Sequence, residues 1–262
     1  MASERAPRRA FIGVSGLVFA AAAAVTIAWC ASMSAMGGRP MPGGWTLSMT
    51  WMRMPGQTWV GAAASFLGMW VVMMVAMMLP SLVPRLSQYR RAVGRTDGMR
   101  LGRLTALVGA GYYSVWAALG LAAFPLGVAL ASVEMRLPAL SRAVPIAAGV
   151  VVLGAGAFQF TACKTRHLAF CREAAPDRTL PADVGTAWRH GLRLGLHCAY
   201  CCAGLMAILL AIGVVDLRAM AIVTGAITVE RLAPAGERVA RVTGAVAVGA
   251  GLLLTAQAAG LG

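Results

Sequence analysis

Acidic residues are scarce in this chain: nine Asp and Glu stand against 23 Lys and Arg, and all nine lie outside the apolar runs. That scarcity argues against a proton-coupled transporter, which usually carries carboxylates inside its membrane helices. Charge of either sign is thin, at 12% of residues. The chain has no Walker-type phosphate loop, no serine nucleophile elbow and no carboxylate pair, so nothing supports hydrolysis or phosphoryl transfer. Histidine is confined to His167, His190 and His197, and cysteine to six positions. Where those few residues fall is therefore informative.

Apolar residues are abundant instead, at 59% of 262. With apolar runs of about twenty residues, this points to an integral membrane protein. The chain reads as an all-α, polytopic bundle of about seven transmembrane helices in one domain. The expected spans are 10–31, 59–80, 104–127, 145–162, 194–214, 217–232 and 242–260, the sixth being the shortest free of charge. The basic residues divide unevenly between the two sides. With the N-terminus inside, the tail (Arg5, Arg8, Arg9) and segments 81–103, 163–193 and 230–241 hold all but five of them; Arg39, Arg53, Arg136, Arg142 and Arg218 fall outside. This is the positive-inside pattern of a multi-pass protein of the bacterial inner membrane with a cytoplasmic N-terminus. The formal charge of +14 then reflects topology and anionic lipid rather than nucleic acid. The first span is long for a signal peptide and lacks a small-x-small cleavage site, which fits an uncleaved helix.

One stretch organises the rest: Gly195-Leu-His-Cys-Ala-Tyr-Cys-Cys-Ala-Gly-Leu-Met206. On a helix, His197/Cys201 and Cys198/Cys202 are i,i+4 pairs and Cys198/Cys201 is an i,i+3 pair, so their side chains are neighbours. Thiolates and imidazoles are the usual donors of a soft or borderline metal. The competing view, that buried cysteines simply pack as small hydrophobes, suits the isolated Cys30 better than three cysteines beside a histidine. Upstream, Cys163, His167 and Cys171 recur at i,i+4,i+8, and adjacent members chelate one ion more easily than all three. Consecutive helices tend to be neighbours, so this set should lie near the first. A structural disulfide is not expected on a cytoplasmic face.

Methionines form a third set. Met69, Met73 and Met77 recur at i,i+4,i+8, with Met74/Met78 parallel to them, so one helix face is a ladder of thioethers. Pro80 and Pro84 are expected to end that helix. The outer segment 32–58 adds Met33, Met36, Met41, Met49, Met52 and Met54, either as soft ligands suited to Cu(I) or as interfacial residues beside Trp45, Trp51 and Trp59. The third span carries no ionisable side chain apart from its tyrosines and is expected only to pack. Gly149, Gly154 and Gly156 should allow close helix approach in the fourth. Glu230, at the end of the sixth, either orients a ligating histidine or pairs with Arg231, Arg238 or Arg241.

These residues carry a resemblance. The Met-Val-Ala-Met-Met-Leu-Pro-Ser run (74–81), the Lys164–Cys171 segment, Cys198-x-x-Cys201-Cys202 with Leu205-Met206, and Glu230-Arg231 resemble a bacterial family of predicted metal-binding integral membrane proteins. The resemblance extends over most of the chain from the second span onward, and it implies a helical membrane protein with a metal site but no defined reaction. In that family a cysteine usually stands at the His167 position and an aromatic at the His197 position. The first difference keeps a donor and the second adds one.

The expected centre has Cys171, Cys198, Cys201 and Cys202 as core thiolates, with His167 and His197 completing or tuning it. Cys163, Met74, Met77 and Met78 are further candidates. Copper as Cu(I) is the leading metal because thioethers accompany thiolates; zinc is the alternative and haem a more distant one. The expected role is metal uptake, handling or delivery to a membrane metalloenzyme. A membrane thiol or haem redox protein and an accessory subunit of an enzyme complex are the rival roles. Expected partners are the bilayer, the metal ion and a metalloenzyme or a second copy.

Overall fold

A computed structural model describes residues 2–93, 96–172 and 180–260. Arg95, Pro176 and Arg178, part of the basic segments, lie outside the described residues, as does the side chain of Arg5. The described residues are mainly helical, with one small hairpin. The order is α1 (Ala2–Ala35), β1 (Gly38–Met41), β2 (Trp45–Ser48), a 3-10 turn (Met49–Trp51), α2 (Trp59–Ala92), α3 (Gly98–Arg136), α4 (Pro138–Phe158), α5 (Ala162–Arg172), α6 (Val184–Ile212), α7 (Leu217–Leu232) and α8 (Gly236–Ala258).

Six helices among the described residues are long and apolar enough to cross a membrane: α1, α2, α3, α4, α6 and α8. The expected sixth span is not one of them. It forms α7, but with 16 residues it is only ~24 Å long at 1.5 Å per residue, short of a ~30 Å hydrocarbon core. Glu230 and Arg231 occupy its last turn, which shortens the apolar stretch.

Proline placement differs from expectation. Pro80 and Pro84 lie inside α2, which continues to Ala92; Pro125 lies inside α3, and Pro145 inside α4. An internal proline removes one hydrogen bond and kinks a helix, yet α2 continues past Pro80, where Leu79, Ser81 and Leu82 are buried. At Pro145 the loss is made good. The carbonyl four residues back, that of Ser141, accepts the indole N–H of Trp45 at 2.9 Å. The fourth helix thus begins at Pro138, an N1 proline whose missing N–H costs nothing there, rather than after Pro145.

That indole belongs to the hairpin, in which Met41 pairs with Trp45 and Gly38 with Ser48. Gly43 and Gly44 turn the chain at φ +107° and +77°, a backbone region that side chains disfavour. Ser141 Oγ also donates to the Pro42 carbonyl at 2.9 Å. The hairpin is thereby fastened to the start of α4.

In the bundle, α4 packs most extensively on α8 and α3 on α6, while α2 contacts α1, α3 and α7. Glycines set the closest approaches. A Cβ at Gly156 would stand 2.7 Å from the Val248 amide of α8, whereas Gly154, also expected at a helix contact, faces open space. A Cβ at Gly195 of α6 would stand 2.8 Å from the Tyr112 carbonyl of α3. The main core runs along α2 and α6 and includes the methionines Met69, Met73, Met74, Met77 and Met78 and the cysteines Cys171, Cys198, Cys201 and Cys202.

Candidate metal centre

The centre forms where α2, α3, α5, α6 and α7 converge. The α6 helix starts at Asp183, whose side chain accepts the Thr186 amide at 2.8 Å. That bond, with the Thr186 side chain, holds the Asp183 carboxyl below the usual carboxylate range. The helix runs unbroken through the His197–Cys202 stretch. Cys198, Cys201 and Cys202 are each 1% exposed or less, and Cys171 is buried at 5%. All six cysteines are free thiols.

Cys171 of α5 joins Cys198, Cys201 and Cys202 of α6 in one buried core. Cys202 Sγ lies 3.8 Å from Cys198 Sγ, the i,i+4 pair. Cys198 Sγ in turn meets Met78 Sδ at 3.9 Å. Trigonal metal–sulfur bonds of ~2.3 Å would set the sulfurs ~4 Å apart, so two edges of such a triangle are nearly in place. Among the described residues, no three His, Cys, Asp or Glu side chains already stand as a coordination shell. The grouping here combines thiols with a thioether, the donor set of a soft ion rather than of a hard one.

The surroundings are polar and charged, and sequence reasoning missed most of them. Tyr112 of α3, expected only to pack, donates its hydroxyl to Cys198 Sγ at 2.8 Å. Arg231 donates to Cys171 Sγ at 3.2 Å and to Ser81 Oγ at 2.7 Å. Lys164, the only lysine in the chain, donates to the Cys201 carbonyl at 2.7 Å and to Glu230 Oε2 at 2.6 Å. Gln159 donates to the other Glu230 oxygen at 3.0 Å. Glu230 therefore pairs with Lys164 rather than with a nearby arginine or a histidine. Lys164 and Glu230 are both 1% exposed, and a buried charge requires such a partner. Counting Arg231, the cluster carries one positive charge in excess. An anionic pair of thiolates around a monovalent ion would balance it.

The histidines occupy a different position. His167 Nδ1 lies 3.0 Å from His197 Nδ1. Phe170 stacks on His197 at 3.6 Å, and Tyr200 on His167 at 4.9 Å. The pair is half-buried, and among the described contacts neither ring touches a thiol. The α5 helix begins anew at Ala162 after a break at 159–161, and its stripe splits. Cys171 is buried in the core with the α6 thiols, His167 joins His197, and Cys163 is exposed. Met74 and Met77 are buried in the same core, but among the candidate methionines the contact with a thiol falls to Met78. His190 stacks on Tyr89 instead.

No curated protein and no solved structure shows significant similarity to the chain. The sequence profile of PpoB2, described as a copper chaperone, matches residues 67–254. That span runs from the methionine face of α2 to the last turns of α8 and takes in every residue of the thiol cluster. The chain therefore belongs to the PpoB2 copper chaperone family.

Proposed function

We propose that the protein is a multi-pass inner-membrane copper chaperone. It holds Cu(I) on Cys171, Cys198, Cys201 and Cys202, with Met78 as a thioether donor, at the cytoplasmic end of the bundle. The observation that carries this reading is the buried sulfur cluster of Cys171, Cys198, Cys201, Cys202 and Met78, in which Cys198 meets both Cys202 and Met78, in a family described as copper chaperones. Soft donors select Cu(I) over harder ions, and the excess positive charge suits an anionic copper thiolate. Six membrane-length helices and the bias of basic residues toward one side support the membrane placement. His167 and His197, paired at the rim beside the thiols, are the intermediate donors through which copper leaves for a recipient metalloenzyme. Met74 and Met77 back the thiol centre from α2.

Elemental analysis of protein purified in detergent under reducing conditions tests this. The triple variant Cys198→Ser, Cys201→Ser, Cys202→Ser should carry about one copper per chain less than the wild type, since thiolate ligation holds that ion. Zinc in place of copper would recast the centre as structural. A metal content unchanged in the variant would overturn the proposed ligand set.

A further inference from the structure

The outer methionines do not behave alike. Met41 packs inside the hairpin against Leu47 and Ala131, and Met36 is 45% exposed. The remaining four, Met33 from α1, Met49 from the 3-10 turn, and Met52 and Met54 from the link to α2, converge with Met69 of α2 on one cavity of about 200 Å³. Four separate segments thus contribute methionines to the same lining. Ordinary methionine packing fills gaps with its flexible side chain; here five methionines line one that stays open.

The cavity wall is built rather than loose. Ser48 Oγ accepts the Thr50 amide at 3.3 Å and caps the 3-10 turn. Gln57 accepts the Met54 amide at 3.3 Å and reaches Ser65 of α2 at 3.5 Å. Trp51 packs on Phe66 at 5.3 Å between ring centroids, and a Cβ on Gly127 of α3 would collide with its ring. No Asp, Glu, Lys or Arg lines the space.

We infer that this cavity is a second, all-thioether Cu(I) site, separate from the thiols, where copper is captured before it reaches them. Neutral thioethers select a soft monovalent ion, and unlike thiols they cannot be lost to disulfides in an oxidising compartment. Met69 belongs both to the cavity and to the buried methionine face of α2. From Met69 to Met78, which touches Cys198, is ~14 Å along the helix at 1.5 Å per residue. Met73, Met74 and Met77, each 1% exposed or less, fill the interval. The family match begins at residue 67, so four of the five methionines precede it. The destination of the copper rests on the thiolate reading above; the cavity site itself does not.

The test is titration of full-length, detergent-purified protein with Ag(I), a redox-inert stand-in for Cu(I), and with Cu(I) against a chromogenic chelator. The quadruple variant Met33→Leu, Met49→Leu, Met52→Leu, Met54→Leu keeps side-chain volume. It should lose one equivalent, or bind it at least ~10-fold more weakly, as removal of the soft donors demands. The Cys198→Ser, Cys201→Ser, Cys202→Ser variant should retain that equivalent. An unaltered titration in the methionine variant overturns the cavity site. Loss of binding there with none lost in the cysteine variant keeps the cavity and rejects the thiolate centre. A second measurement needs no variant: Ag(I) should protect Met33, Met49, Met52 and Met54 of the wild type from peroxide oxidation, read by peptide mass spectrometry, and leave Met36 unprotected. Equal oxidation of all five with and without Ag(I) would also overturn it.

Discussion

Two points on α2, Met69 and Met78, meet sulfur, but the two clusters are built on different principles. Met78 meets a thiol set among Tyr112, Arg231, Lys164 and Glu230, nearly every polar atom of which is engaged. Met69 shares its cavity with four half-buried methionines and no charged side chain in the lining. Thiols change charge when they bind a metal, because they must shed protons; a buried site for them needs compensating cations. Thioethers stay neutral and need none. On the proposed ligand assignment, a charged network belongs beside the thiols and a neutral lining beside the thioethers.

The sharpest way to break the contrast is to remove the charge from the thiol end. Lys164→Met leaves Glu230 buried without its cation, a change that typically costs about 3–5 kcal/mol. The double variant Lys164→Met, Glu230→Leu replaces the pair with apolar volume and should recover most of that loss in thermal unfolding. If the single and double variants unfold alike, the pair does not support the centre in this way. The next effect is on binding. Copper affinity at the thiol end should rise with pH, by about tenfold per unit for each proton released, with Tyr112, Arg231, Lys164 and Glu230 the polar groups facing the thiols. In the triple serine variant the affinity of the cavity equivalent should stay flat between about pH 6 and 8, since thioethers carry no proton to lose. Parallel pH profiles in the two proteins would erase the distinction.

How far this arrangement was legible in the sequence depends on whether a contact is local. The Cys198/Cys202 neighbourhood follows from i,i+4 spacing on α6, and Cys171 arrives because adjacent helices pack together. The same spacing predicted His197 beside Cys201, yet the ring turns outward, because Phe170 and His167 of α5 offer it a stacked, hydrogen-bonded position. Prolines read as helix ends failed for a similar reason: tertiary packing carries α2 past Pro80, and a distant indole satisfies the carbonyl freed by Pro145. Tyr112 was hidden because nothing in its own segment marks it. The signal lay in the glycines opposite, Gly191 and Gly195, which bring α3 close enough for its hydroxyl to reach Cys198. The role of Lys164 had a plainer clue, a lone lysine two helical turns before Cys171 in a chain that otherwise uses arginine. Its pairing with Glu230 spans 66 residues, beyond the reach of any local rule.

Tyr112→Phe removes that hydroxyl while keeping the ring between α3 and α6. One hydrogen bond is worth about 0.5–1.5 kcal/mol net, so stability should fall only slightly. Its effect should concentrate on the thiol end: Tyr112 donates to Cys198, and a donor to sulfur favours the thiolate. Copper affinity of the thiol centre should therefore drop by about tenfold at most, the equivalent of ~1.4 kcal/mol, while the cavity equivalent is untouched. Equal weakening at both ends would mean that Tyr112 acts through packing alone.

The smallest expected effect comes from the start of α6, which sets the register of all its cysteines. Asp183 caps that helix, and its carboxyl is held below the usual range by Thr186. A group with a depressed folded value contributes stability above its unfolded value and loses it as pH falls through the folded one. The contribution of Asp183 is thus complete at neutral pH and disappears only in acid. Asp183→Ala should lower the unfolding midpoint slightly at pH 7, and wild type and variant should converge as the carboxylate is titrated. Because the cap lies on the surface, neither cluster should change its copper stoichiometry. A variant that lost copper at pH 7 would show that the thiol positions depend on the register of this first turn, and not only on the glycine contacts with α3.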